Sequence, residues 1–345
     1  MMSRRFSLGA SALVGIVLVV AAFIFWLPDA SYATKPITFT FRGAQISGQV
    51  ALPHEKQKQE TDCLVFVHGD GEMDATALGY FDPYFSQFAE RGWCSFAWDK
   101  PGIGGSEGDW LNYSMEDRAA LVEAAIDALR AETGLQIGRV GLIGFSQAGW
   151  VMPKVGVAAK NIDFIVFVSP AVNWMAQSDY MTQLRRSFEA DPKDKMADEA
   201  KLDTLINEGG RYEDFIALSE RSAYISADYF SKARWEFAVR NAHADLSEDV
   251  RRLKGVQVLL MLGGQDGQVD AQESAATFKE LLPADQLTLH MFDEAGHSMV
   301  PVAERKPMSG TDGLWLLGKV MLWGSEAFVD GYWATLNEFI AAQFE

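Results

Sequence analysis

The 345 residues include only two cysteines, five histidines, and 30 basic residues against 47 acidic ones. Each shortage removes a class of function. A formal charge of −17 is repelled by a phosphate backbone, and no basic run or Gly-x-x-x-x-Gly-Lys loop relieves it, so no nucleic-acid partner is expected. The histidines are scattered, with neither a His-Glu-x-x-His helix nor zinc-finger spacing, so no metal is expected. No cofactor is expected either. The Gly102-Ile103-Gly104-Gly105 loop has the wrong spacing for a dinucleotide fingerprint and opens no helix; it reads as a flexible connection near the sheet edge. Internal repeats and low-complexity linkers are also lacking. With 48% hydrophobic residues, the chain can form one large domain or a core domain with an insertion.

The long apolar run is N-terminal. Arg4 and Arg5 precede an uncharged stretch from Leu8 to Leu27, and Pro28-Asp29-Ala30-Ser31-Tyr32-Ala33 follows. Basic residues, an apolar centre, a breaker and small residues describe a secretory signal cleaved after Ala33. The same 20 residues are long enough to span a bilayer, which would give membrane contact through this segment. Either way Arg4-Arg5 stay inside and the body is expected outside the cytoplasm, periplasmic or at the cell surface. Cys63 and Cys94 each lie five residues before the polar residue that ends an apolar strand, His68 and Asp99 respectively. They read first as two small buried thiols, with a disulfide as the alternative in an oxidising compartment.

Along the body, Ile37–Phe41 and Ala44–Leu52 alternate apolar and polar residues as a hairpin, and His54–Asp62 reads as a surface loop. Apolar strands at Leu64–Val67, Cys94–Trp98, Val140–Ile143 and Phe164–Val168 alternate with helices at Tyr80–Arg91, Met115–Glu132 and Ala148–Ala159. Ser114 and Asp117 form a capping pair for the longest of these helices. Strands apolar throughout, alternating with helices, predict a mostly parallel α/β sheet covered on both faces. Residues 171–250 break the alternation: they are charged, helical and aromatic, with no clear strand, and so read as an inserted helical cap. The pattern resumes with a strand at Val256–Leu262, a helix at Ala271–Leu282, a strand at Leu287–Phe292 and a last helix at Gly331–Phe344. The expected divisions are 1–33 (signal or anchor), 34–170 (core), 171–250 (cap) and 251–345 (core).

The chemistry is carried at strand ends. Gly144-Phe145-Ser146-Gln147-Ala148 places a serine between small residues at a strand-to-helix reversal, the way a hydroxyl is forced out of a sheet as a nucleophile. A serine needs a base, and the base an orienting acid. Asp266 follows the strand at Val256–Leu262, and His297 follows the strand at Leu287–Phe292, both where ligand sites of open α/β sheets form. Asp270 is a rival for the acid; His68 reads as structural.

With His68-Gly69, the Asp99–Ser106 loop, Gly144–Trp150, Asp266 and Ala295-Gly296-His297 in this order, the chain resembles the α/β-hydrolase superfamily. It is most similar to the esterase-like branch near the serine aminopeptidase and dienelactone-hydrolase groups. The resemblance runs from about Leu64 to Phe344 and is weakest across the cap. It implies an eight-stranded sheet, a Ser146–His297–Asp266 triad, and an oxyanion hole from the backbone N–H groups of Gln147 and Asp70. Two departures stand out: Ala148 where glycine is frequent, and Asp70 where a neutral residue is usual. The Asp70 side chain is expected to turn away and leave only its amide in the hole.

The expected activity is cleavage of carboxyl esters of small or medium acyl groups through an acyl-serine. An aminopeptidase-like amide hydrolase is the alternative, and a non-enzymatic binding protein on the same scaffold is a further one. An amine substrate would need an acidic anchor, and Glu189, Glu208 and Glu213 are too many to choose between. The segment Met299–Trp323, with Trp315, Leu316, Leu317, Met321, Leu322 and Trp323, reads as a helix packed on the core, or else as an acyl-pocket wall or a membrane contact.

Overall fold

A computed structural model describes residues 31–54, 60–132, 134–158, 162–189, 192–308 and 310–345. The run from Leu8 to Leu27, read above as signal or anchor, lies outside the described residues. Among the described residues no helix is long and apolar enough to cross a membrane.

Eight strands form one sheet in the order β1-β2-β4-β3-β5-β6-β7-β8. The chain opens with β1 (Tyr32–Phe41) and β2 (Ala44–Pro53), antiparallel in full register through the two-residue turn Arg42-Gly43, both at positive φ. Such a turn matches the twist of the strands it joins. β2 pairs antiparallel with β4 (Cys94–Trp98). From β4 onward every pairing is parallel, through β3 (Thr61–Val67), β5 (Ile137–Phe145), β6 (Phe164–Val168), β7 (Gln257–Gly263) and β8 (Leu287–Phe292). β3 begins at Thr61, so the end of the expected surface loop belongs to the sheet; residues 55–59 lie outside the described residues.

Parallel strands need crossovers, and helices supply them on both faces. These are α1 (Asp82–Ala89), α2 (Met115–Ala131), α3 (Met152–Ala158) and α9 (Ala271–Leu281), while α11 (Tyr332–Phe344) follows the last strand and packs on one face. Ser114 and Asp117 cap α2 reciprocally, as their spacing predicts. The two faces of the sheet bury separate cores. One is built around Val65, Phe96, Leu142, Phe167 and Leu260, the other around Phe66, Phe81, Phe85, Phe164 and Tyr332. Between β6 and β7 lie α4 (Trp174–Phe188), α5 (Lys193–Asn207), α6 (Tyr212–Ser219), α7 (Lys232–Asn241) and α8 (Ser247–Arg251). This segment has a small core of its own, in which Phe215 stacks on Trp235 with centroids 4.9 Å apart beside Ile206 and Ile225.

The cysteines correct the first expectation. Cys63 and Cys94 are register partners on β3 and β4, with Cα atoms 4.5 Å apart, and they form a disulfide. Equal height in the sheet was legible; that both side chains leave it on the same face was not. A bridge across 31 residues of sequence stabilises by about 3–4 kcal/mol, chiefly by restricting the unfolded chain.

The segment Met299–Trp323 meets its expectation in part. It ends in α10 (Gly310–Trp323), in which only Val320 is fully buried. One side of the helix packs as expected, with Val320 in the core and Leu316 against it, while Leu314, Trp315, Met321, Leu322 and Trp323 on the rest of it are exposed.

Candidate active site

Ser146 leaves the end of β5, near the middle of the sheet, at φ +51°. A left-handed backbone is strained for a residue with a Cβ, and it is held here by its surroundings. Two small neighbours make the turn possible. A Cβ on Gly144 would fall 2.5 Å from Met152 Sδ and 2.7 Å from Ala148 Cβ, and Ala148 itself is fully buried. The turn continues as a short 3₁₀ segment, Ser146–Trp150, before α3 starts at Met152, so the α-helix begins later than the sequence suggests.

Asp266 and His297 meet at the neighbouring strand ends. His297 Nδ1 lies 2.8 Å from Asp266 Oδ2, while Asp266 Oδ1 accepts the N–H groups of Gln268 (2.7 Å) and Val269 (2.9 Å). The carboxylate is therefore buried, oriented and fully partnered. Asp270, its rival, instead caps α9 by accepting from Gln272 and Glu273 N–H. The two loops press together: a Cβ on Gly263 would lie 2.5 Å from Gly296 O. Only bare backbone fits there.

The third component is the turn after β3. A Cβ on Gly69 would lie 3.1 Å from Phe145 O and 3.6 Å from Ser146 Cβ, which sets the His68–Gly71 loop directly beside the serine. Two buried cations hold this loop from behind. Lys100 Nζ donates to Gly69 O and Gly71 O, each at 2.7 Å, and Arg118 donates to His68 O at 2.6 Å and to Gln147 Oε1. A trans peptide points its C=O and N–H in opposite directions. Fixing Gly69 O toward Lys100 therefore turns the Asp70 N–H the other way. Burial pushes Lys100 well below the ordinary lysine range and Arg118 down to about 10.

His68 is structural in this arrangement. Its Nε2 donates to Asp74 O at 2.8 Å; burial first, then the Lys100 and Arg118 charges, push its pKa down to about 3, so the ring is neutral. The Gly102–Gly105 loop is held, not flexible. Gly105 N–H donates to Asp99 Oδ2 at 2.8 Å, and a Cβ on Gly104 would strike that carboxylate.

Asp70 carries a partner that sequence reasoning missed. Its carboxylate is bridged by both terminal nitrogens of Arg234 on α7, with one contact at 2.9 Å, and accepts Gln147 Nε2 at 3.2 Å. Burial raises its pKa, but the Arg234 guanidinium outweighs this and holds it below the ordinary aspartate range. Tyr180 on α4 donates to Asp266 O at 2.6 Å, so the inserted helices touch both the acid loop and the Asp70 loop. Neither Arg234 nor Tyr180 stands in a local motif. Nothing in their neighbourhoods could have marked them.

Ser146, His297, Gly69 and Asp70 line one cavity of about 320 Å³, whose walls are otherwise mainly apolar: Met73, Tyr80, Phe145, Val168, Leu316 and Leu317. A second cavity of about 610 Å³ shares His297 and Leu316 and opens toward Pro301 and Trp315. Among the described residues no group of three or more His, Cys, Asp or Glu could hold a metal ion.

A central serine turn, an acid–imidazole pair at the next strand ends and a helical insertion define the class. Residues 64–306 match the model of the alpha/beta hydrolase family, and the chain belongs to that family. An esterase of Pyrococcus furiosus superposes with a TM-score of 0.55 at 16% identity, covering 88% of this chain and 95% of that one. Est1E of Butyrivibrio proteoclasticus, solved with ferulic acid, gives 0.52 at 13%, covering 84% and 98%. The alpha/beta hydrolase GrgF from Penicillium sp. sh18 gives 0.52 at 15%, covering 77% and 91%. At such identities the likeness is one of fold. No curated protein sequence matches this chain.

Proposed function

We propose that this hydrolase is a serine esterase acting on small or medium acyl groups through an acyl-enzyme. The observation that carries the reading is the cavity in which Ser146, in its positive-φ turn, faces the same space as His297, itself bonded to Asp266. In this mechanism Asp266 holds Nδ1 and leaves Nε2 to take the Ser146 proton as Oγ attacks the ester carbonyl. The oxyanion then receives the N–H groups of Gln147 and Asp70, each worth about 3–4 kcal/mol in the transition state. Collapse of the tetrahedral adduct passes the proton from His297 to the leaving alcohol, and water repeats the cycle on the acyl-serine.

An apolar cavity favours an acyl chain over a charged amine. Asp70 is the carboxylate among its lining residues, and Arg234 already occupies it. The amide-hydrolase alternative would need a free acid at that position. Two measurements test the reading: labelling by a fluorophosphonate probe, and rates on p-nitrophenyl esters against aminoacyl anilides. Labelling should vanish in Ser146→Ala and esters should be the better substrates; equal labelling of the variant removes the serine assignment, and faster anilide cleavage removes the esterase one.

We further propose that residues 8–27 are kept as an anchor, with the body outside the cytoplasm. Cleavage after Ala33 would remove Tyr32, whose ring packs edge-on against Phe85 and whose hydroxyl donates to Asp82 at 2.9 Å. The Cys63–Cys94 disulfide suits an oxidising compartment. A mature chain whose mass lacks the first 33 residues would refute retention.

A further inference from the structure

The helix α10 is apolar on both sides. Toward the protein, Gly313, Leu316 and Leu317 line the cavity that holds Ser146, and Val320 is buried. Toward solvent, Leu314 (73% exposed), Trp315 (63%), Met321 (61%), Leu322 (51%) and Trp323 (54%) stand uncovered. Leu314, Trp315, Met321 and Leu322 recur at helical spacing on either side of Gly318, so these side chains form one stripe along the helix. The one ammonium within the stripe's length, Lys319, lies 5.2 Å from the centre of the Trp315 ring. A soluble surface does not ordinarily present so continuous an apolar face.

The start of the folded body lies at the end of this stripe. Tyr32 is tied to Asp82 through its hydroxyl. A Cβ on Gly79 would lie 3.5 Å from Asp82 Oδ2 and 3.7 Å from Met321 Cγ, so Met321 neighbours the residue that fastens Tyr32. Leu78, next in the chain, is also exposed, at 54%. In the sequence the apolar run ends at Leu27, five residues before Tyr32, a stretch that spans at most about 17 Å. An anchored run and the α10 stripe are therefore within reach of one surface.

We propose that the exposed face of α10 docks into the interfacial layer of the membrane that residues 8–27 would span. The inference rests on reading that run as a retained anchor. Tryptophans suit this depth, since the ring is apolar and its N–H remains able to reach water. The chemistry fits an uncharged or zwitterionic surface: a chain of net charge −17 is repelled by anionic headgroups, and the stripe itself is apolar. Such an arrangement would also bring the far wall of the Ser146 cavity against the bilayer.

The test uses the full chain in phosphatidylcholine vesicles. Flotation on a density gradient reports the anchor, and quenching of tryptophan fluorescence by acyl-brominated phosphatidylcholine reports contact with the lipid. The native chain should float and be quenched. In Trp315→Phe/Trp323→Phe the quenched intensity should fall to about one third, Trp26 of the apolar run alone remaining in lipid. Failure to float overturns both the anchor and the docking. Flotation with undiminished quenching in the double variant overturns the docking alone. A second copy on the stripe would instead show as a detergent-solubilised dimer that Leu314→Glu/Leu322→Glu dissociates, and that result too overturns the proposal. Fluorophosphonate labelling of Ser146 is independent of all three outcomes.

Discussion

Lys100 is the residue whose replacement tests the reasoning about the oxyanion site most directly. Its ammonium donates two 2.7 Å bonds, to Gly69 O and Gly71 O, from a position 4.6 Å from the centre of the Trp110 ring. The first of those carbonyls shares a peptide plane with the Asp70 N–H. Lys100→Met keeps most of the volume and removes both bonds. Hydrogen bonds from a charged donor are worth about 1.5–3 kcal/mol each, so the loop loses about 3–6 kcal/mol of restraint, part of it offset because no ammonium is buried. Once the plane is free to rotate, the Asp70 donor is lost from the transition state. Complete loss of one such donor lowers kcat about 10²–10³-fold. Substrate binding in the apolar cavity is untouched, so KM should hardly change, the pattern of an interaction made only in the transition state. Steady-state hydrolysis of p-nitrophenyl acetate measures both constants, and a thermal melt confirms folding. A folded variant whose kcat stays within about threefold of the native value, less than about 0.7 kcal/mol in the barrier, would refute the idea that Lys100 aims the peptide.

The remaining predictions concern the charges around the same loop. Asp70→Asn keeps the backbone donor and should lower kcat only a few-fold, whereas Arg234→Met leaves the carboxylate uncompensated beside a developing oxyanion and should cost about tenfold. The double variant should recover to the Asp70→Asn level; if Arg234→Met proves no worse than Asp70→Asn, the ion pair does not shield the site. For stability, His68 has a folded pKa near 3 against about 6.5 when unfolded. The unfolded chain therefore binds the extra proton first, and stability is full above about pH 6.5 and falls toward pH 3, by as much as about 5 kcal/mol from this group. Urea titrations from pH 7 to pH 4 should show that slope, and it should flatten in His68→Gln. An unchanged slope would mean other groups set the acid lability.

The fold and part of the site were legible because their signals are local. Apolar strands such as Leu64–Val67 and Phe164–Val168 stand out by composition, and the Ser114/Asp117 cap marks where α2 begins. Ser146, Asp266 and His297 are visible because each sits in a short strand-end turn whose small residues leave little else for it to do. The support behind the loop was not legible. Lys100 and Arg118 sit far from it in sequence and acquire their partners only when β4 and α2 pack against the end of β3. Arg234 comes from the inserted helices, where it is one basic residue among several. A residue whose partner is a backbone carbonyl leaves no pattern for sequence reading, since every residue supplies that carbonyl.

The division of α10 into two sides was illegible for a different reason. Apolar content does not by itself mean burial in protein, because hydrophobic transfer is satisfied by any low-water environment, lipid included. Trp315, Met321 and Leu322 are as apolar as Leu316 and Leu317, and only their phase around the helix divides those that meet the Ser146 cavity from those that meet solvent. A helix with two apolar faces needs an apolar neighbour on each. For α10 the folded body supplies one side only, through Leu316, Leu317 and Val320, and the other side is the face proposed above to meet lipid.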